Sequence, residues 1–192
     1  IFNHGSVLFG LLAFSSVTDP AGAQTVLAAA GGGGGVHFSS SCGTSGWVMS
    51  GLSMRVGSWV DSVKPICVGA NFPDRSADRK VVEPNRGGAG GGPKVIECWH
   101  NAYAIRGVAV SHGTGNNNLR VVTGIKLLCG TADGLGGLQT PPNAAFQGTS
   151  RLQPRTEQYV CPKGEVVTAI YGRSGTFLDS IGMVCTKSPL SR

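Results

Sequence analysis

Two aspartates carry the chemistry this sequence offers. Asp61 closes the stretch Gly57-Ser58-Trp59-Val60-Asp61, and Asp179 closes Gly175-Thr176-Phe177-Leu178-Asp179, each inside a run that otherwise reads as buried β-strand. An ionised carboxylate accepts hydrogen bonds from two donors at once, and such charge-assisted bonds are the strong ones. The glycine that opens each G-x-x-x-D stretch lets the main chain approach a ligand where a side chain would block it, and the aromatic between them offers an apolar face. Each aspartate is also followed by Ser and a β-branched residue. A turn-capping carboxylate and core aromatics are therefore the competing readings.

Other chemistry finds little support. G-x-S-x-G and H-E-x-x-H are absent, and only 10 acidic residues exist, so no nucleophile with its base stands out and an enzyme is not expected. No C-x-x-C occurs, and His4, His37, His100 and His112 are scattered; the lone C-x-H at Cys98 and His100 reads as coincidence, and neither metal nor other cofactor is expected. A net charge of +6 raises the question of nucleic acid. There is no basic stripe with interleaved aromatics, however, and the densest segment, DRSADRK at 74–80, alternates in sign, as a solvated loop face does. Attraction to an anionic cell-surface polysaccharide is the minor reading of the same charge.

The elements that must position the aspartates show up as an internal repeat. Laying Cys42 on Cys161 aligns CGTSGWVMSGLSMRVGSWVDSVKPIC with CPKGEVVTAIYGRSGTFLDSIGMVC, so that Arg55 falls on Arg173, Gly57 on Gly175, Trp59 on Phe177 and Asp61 on Asp179. A middle copy, from Cys98 to Cys129, carries an insertion at HGTGNNN and has Thr123 in the place of the aspartate. Each copy reads as short strands rich in Val, Ile and aromatics between turn glycines. Glycine, 31 of 192 residues, and a charged fraction of only 14% favour strands and turns over helices. The expected domain is all-β over 31–186, with repeats at about 31–68, 87–130 and 146–186, three sheets around a shared core, and a tail over 187–192. Six cysteines allow fifteen pairings; the repeat favours one bridge per copy, Cys42 with Cys67, Cys98 with Cys129, and Cys161 with Cys185. VLFGLLAF at 7–14, followed by AGAQ, is too short for a membrane span and reads as a secretory signal peptide over 1–23 that lacks its basic start, with a linker over 24–30. A secreted, extracellular protein follows from it, and the cysteines suit that compartment.

Laid out this way, the chain resembles the β-prism proteins. GRSGTFLDSIG and the glycine-rich lead-in GGGGGVHF resemble the jacalin-related lectins, while the cysteine framework and NNNLRVVTGIKLLC resemble the vitelline membrane outer layer protein I family. Either resemblance implies three four-stranded Greek-key sheets with pseudo-threefold symmetry. The lectin resemblance implies that sugar sits between a glycine-rich loop and a G-x-x-x-D loop. That places Asp179 with Gly175, Thr176, Phe177 and Leu178 opposite Gly34 and Gly35, and Asp61 with Gly57, Ser58, Trp59 and Val60 opposite Gly91 and Gly92. A third site at Thr123 is not expected, since only Gly148 stands where its glycine loop should be. The carboxylate would accept from hexose hydroxyls in two separate pockets, with mannose- or glucose-like glycans as the partners. The coat-protein resemblance implies a disulfide-stapled structural protein of an extracellular matrix instead.

Overall fold

The computed structural model describes residues 24–43, 46–70, 79–98, 103–114, 118–148 and 154–190. The expected leader over 1–23 lies outside them, as do His4, His100 and residues 74–78 of the mixed-charge segment. In chain order the strands are β1 (Thr25–Val26), β2 (Ala30–Gly31), β3 (Val36–Ser41), β4 (Trp47–Val56), β5 (Val60–Gly69), β6 (Arg79–Val81), β7 (Arg86–Gly87), β8 (Gly92–Glu97), β9 (Tyr103–Thr114), β10 (Arg120–Thr131), β11 (Ala145–Gln147), β12 (Arg155–Val160), β13 (Glu165–Ser174) and β14 (Leu178–Lys187). One 3-10 turn, Pro142–Ala144, precedes β11. Turn glycines set the hairpins. The Gly57 N–H donates to the Trp59 carbonyl and the Gly175 N–H to the Phe177 carbonyl, each at 2.9 Å, which reverses the chain within three residues.

Three antiparallel sheets result, each with four strand positions. The first runs β1-β14-β13-β3 with β2 also on the β14 edge, the second β6-β5-β4-β8 with β7 also on β5, and the third β11-β10-β9-β12. The split outer position arises because two short segments share one edge of a long central strand. Residues 24–30, expected as a linker, are part of this: Thr25 and Val26 pair with Cys185 and Val184, covering an edge that would otherwise stand open.

Sheet and sequence repeat are out of phase. Each repeat gives its outer strands to one sheet and its central hairpin to the next, so β3 joins the first sheet while β4 and β5 form the middle of the second. The expected cysteine pairing is present, and for this reason every bridge crosses between sheets. Cys42 at the end of β3 reaches Cys67 on β5, Cys98 after β8 reaches Cys129 on β10, and Cys161 after β12 reaches Cys185 on β14. The inner faces meet on one axis. Leu52, Val108 and Ile170 hold the same position on the three sheets, as do Val63, Ile125 and Ile181, and all are buried. Each such aliphatic contributes about 1.5–3 kcal/mol. Val48, Ala104 and Val166 form a second layer with Val68, Ala70 and Ala132, against which Leu190 of the tail packs. Phe38 of the VHF strand stands opposite Gly172 and is buried in the shared core.

One irregularity recurs at the same place in all three central hairpins. The register skips Asp61 between Arg55↔Ser62 and Val56↔Val60, skips Thr123 between Val122↔His112 and Gly124↔Ser111, and skips Asp179 between Arg173↔Ser180 and Ser174↔Leu178. Each is a β-bulge, whose extra residue leaves the ladder and turns its side chain out of the pleat. An acidic residue inside an apolar strand is accommodated because it occupies the bulge.

Candidate functional site

At the first corner the Asp179 carboxylate lies against the glycine loop at the start of the chain. A Cβ built on Gly34 would fall 2.4 Å from its Oδ1, and one on Gly35 2.6 Å from its Oδ2, so both positions exclude a side chain. Gly35 also has φ of +59°, in the left-handed region. The Gly32 N–H donates to the Asp179 carbonyl at 2.7 Å and ties the loop to the bulge. Asp179 is 6% exposed, and its Oδ2 is buried without a hydrogen-bond partner. Burial pushes its carboxyl above the usual range, while the Arg173 guanidinium and the backbone N–H groups of Asp179 and Gly175 pull the other way.

The second corner repeats the first. Asp61, also 6% exposed, lies against Gly90 and Gly91, where built Cβ atoms would fall 2.4 Å from Oδ1 and 2.6 Å from Oδ2. The Gly88 N–H donates to its carbonyl at 2.9 Å. Burial raises this carboxyl too, against the lowering effect of Arg55. The glycines in contact are thus Gly90 and Gly91, one position earlier than the expected Gly91 and Gly92. Gly92 opens β8, and a Cβ there would meet nothing within 4 Å.

Two arginines complete the corners, and nothing in their sequence surroundings singled them out beyond their alignment. Arg173 donates from Nε to the Gly34 carbonyl at 2.8 Å and from Nη2 to the Gly35 carbonyl at 2.7 Å, while Nη1 meets His37 Nε2. Arg55 donates from Nε to the carbonyls of Ala89 at 2.9 Å and Gly90 at 2.7 Å, and from Nη2 to that of Gly91 at 2.7 Å. In a planar trans peptide the N–H points opposite to its carbonyl, so the clamp on the Gly34 carbonyl turns the Gly35 N–H away from the guanidinium. Each corner therefore combines a carboxylate acceptor with a main-chain loop of fixed orientation. Arg173→Lys keeps the charge but loses the fork. It is expected to cost about 1 kcal/mol or more, seen as a melting temperature lower by roughly 2–4 °C per kcal/mol and as faster amide hydrogen exchange at Gly32 to Gly35.

The third corner lacks both charged groups. Thr123 sits in the bulge with its hydroxyl buried and unpartnered, and the Gly148 N–H donates to its carbonyl at 2.7 Å, as Gly32 and Gly88 do elsewhere. The arginine position is Ser111, bonded to the Thr156 hydroxyl at 2.9 Å. A shallow hollow of about 310 Å³ lies there on the outer face of the third sheet, beside Lys126 and Gln147. Among the remaining expected residues, Ser58 and Thr176 are exposed at the hairpin tips, Trp59 and Phe177 are half-buried, and Val60 and Leu178 are fully buried in the core. Among the described residues no group of three or more His, Cys, Asp or Glu stands close enough to hold a metal ion.

No protein-family model matches the sequence. No curated protein matches it either. Solved structures do match its shape. A mannose-binding jacalin-related lectin from Ananas comosus is 13% identical, with a TM-score of 0.60 over 85% of this chain and 98% of that one. A mannose-specific jacalin-related lectin from Morus nigra, in complex with mannose, is 12% identical, with a TM-score of 0.59 over 89% and 98%. Malaysian banana lectin is 14% identical, with a TM-score of 0.58 over 86% and 99%.

Proposed function

We propose that this β-prism chain, folded as the jacalin-related lectins are, is a secreted protein that binds hexose glycans without metal at the Asp179 and Asp61 corners. One observation carries the reading: a buried carboxylate, Asp179, with an oxygen that has no protein partner, held in a bulge against two glycines that leave it room. An unpaired buried acceptor costs free energy, and a small rotation of the carboxylate that brings it to a ligand hydroxyl removes the cost. The backbone N–H groups of Asp179 and Gly175 act on this carboxyl, yet they leave Oδ2 without a partner. Vicinal hydroxyls of a mannose- or glucose-like ring suit the carboxylate, and the loop amides suit the ring oxygens. The solved mannose-binding relatives of the fold point the same way.

Glycan-array binding in the presence of a chelator tests this; hexose-terminated glycans are expected to bind, and no signal on any glycan would refute it. The pH dependence adds a second check. Because burial holds the Asp179 and Asp61 carboxyls above the usual range, glycan affinity is expected to be level near neutrality and to fall on acidification at a higher pH than an ordinary aspartate would dictate. Fold stability moves oppositely. A carboxyl that protonates more readily when folded makes the fold more stable as pH drops from the raised value towards the unfolded one.

The second reading, a structural protein of an extracellular coat, is favoured by the three bridges that join all three sheets into a ring. A stable protein that binds nothing on the array would support it.

A further inference from the structure

The two aspartate corners are neighbours at one end of the prism. Trp59 at the tip of one hairpin and Phe177 at the tip of the other have ring centroids 6.4 Å apart, tilted by 52°. The hairpin of the first corner also walls the second: a Cβ built on Gly88 would fall 2.2 Å from the Thr176 carbonyl oxygen, so the Asp61 glycine loop rests directly on the Asp179 hairpin. Both rings are half-buried rather than in the core, and the main chain beside them is open, with Gly175 and Thr176 exposed on one side and Gly57, Gly90 and Gly91 on the other.

An aromatic pair is a costly choice for two hairpin tips unless something covers it, because half-exposed rings leave apolar area in water. Phe177 is two residues from Asp179, and Trp59 two from Asp61, which keeps each carboxylate within about 7 Å of chain from the ridge. Two such stretches and the 6.4 Å between the rings put the corners on the order of 20 Å apart along this path, a span that a few linked hexoses cover. Their C–H faces would pack on the rings while their terminal hydroxyls meet the carboxylates.

We propose that the two corners form one composite site that takes two hexose ends of a single branched oligosaccharide, with the Trp59–Phe177 ridge against the sugars that join them. This rests on the reading of each corner as a hexose site. Linking the ends makes the second contact intramolecular, which raises affinity without any new type of bond.

Calorimetric titration with methyl α-mannoside and with a branched mannopentaose bearing two terminal mannoses separates the possibilities. Two monosaccharides per chain are expected, but one pentaose per chain, bound at least about tenfold more tightly. Asp61→Asn and Asp179→Asn should each leave one monosaccharide bound, which also shows that the variant is folded, and should reduce the pentaose to monosaccharide affinity. Phe177→Ala should weaken the pentaose more than the monosaccharide. Two pentaoses per chain, one pentaose shared between two chains, a single monosaccharide on the wild type, or equal affinities would overturn the composite site while leaving hexose binding in place. No binding of either sugar would overturn the hexose reading itself.

Discussion

Asp179→Asn is expected to abolish hexose binding at its corner and to raise the melting temperature. Two charge-assisted hydrogen bonds to a ligand contribute about 1.5–3 kcal/mol each, so losing the charge should weaken binding at that corner at least a hundredfold. The same change removes a buried carboxylate whose Oδ2 is unpaired and whose ionised form burial disfavours. Asparagine is close to isosteric and uncharged, and replacements that relieve such a functional cost commonly add about 0.5–2 kcal/mol. Binding and stability should therefore move in opposite directions. Melting curves read beside monosaccharide titrations measure both. A variant that melts lower and still binds would mean that Asp179 serves its own turn, and the functional assignment would fail.

Removing the bridges is expected to have the largest effect on the fold. The cysteines close loops of 25, 31 and 24 residues, and the chain-entropy relation assigns each about 3.5 kcal/mol. Their sum, about 10 kcal/mol, matches the whole stability of an ordinary domain. The Cys161→Ala and Cys185→Ala double variant is expected to melt roughly 10 °C lower, and full reduction under mild denaturation to unfold the chain. All six cysteines are 5% exposed or less, so reduction of the native state should be slow until it opens. An unchanged melting temperature in the double variant would show that inter-sheet packing alone closes the prism.

Much of the corner geometry was legible because it is local and repeated. The G-x-x-x-D stretch occurs twice with a threonine in the middle copy, and the glycine runs sit at matching distances, so the sequence alone matches Asp179 to Gly34 and Gly35. The observed pair, Gly90 and Gly91, stands one position before the expected Gly91 and Gly92, because nothing within GGAGGG marks which glycine turns left-handed. Gly91 does, with φ of +58°. Arg55 and Arg173 were visible only as an aligned pair. Their role depends on carbonyls 34 to 36 and 138 to 139 positions away in the chain, a relation that no local pattern encodes.

By itself, then, the sequence determined the all-β class, the threefold repeat, the cysteine pairs and which two corners carry an aspartate, because alternation, turn chemistry and spacing act over a few positions. Tertiary structure alone decided which strands share a sheet. A repeat's outer strands find their open edge on the preceding sheet, so the bridges cross between sheets and the aspartate falls in a bulge. Only that closure into a ring brings the first glycine loop to the last hairpin, and Trp59 to Phe177.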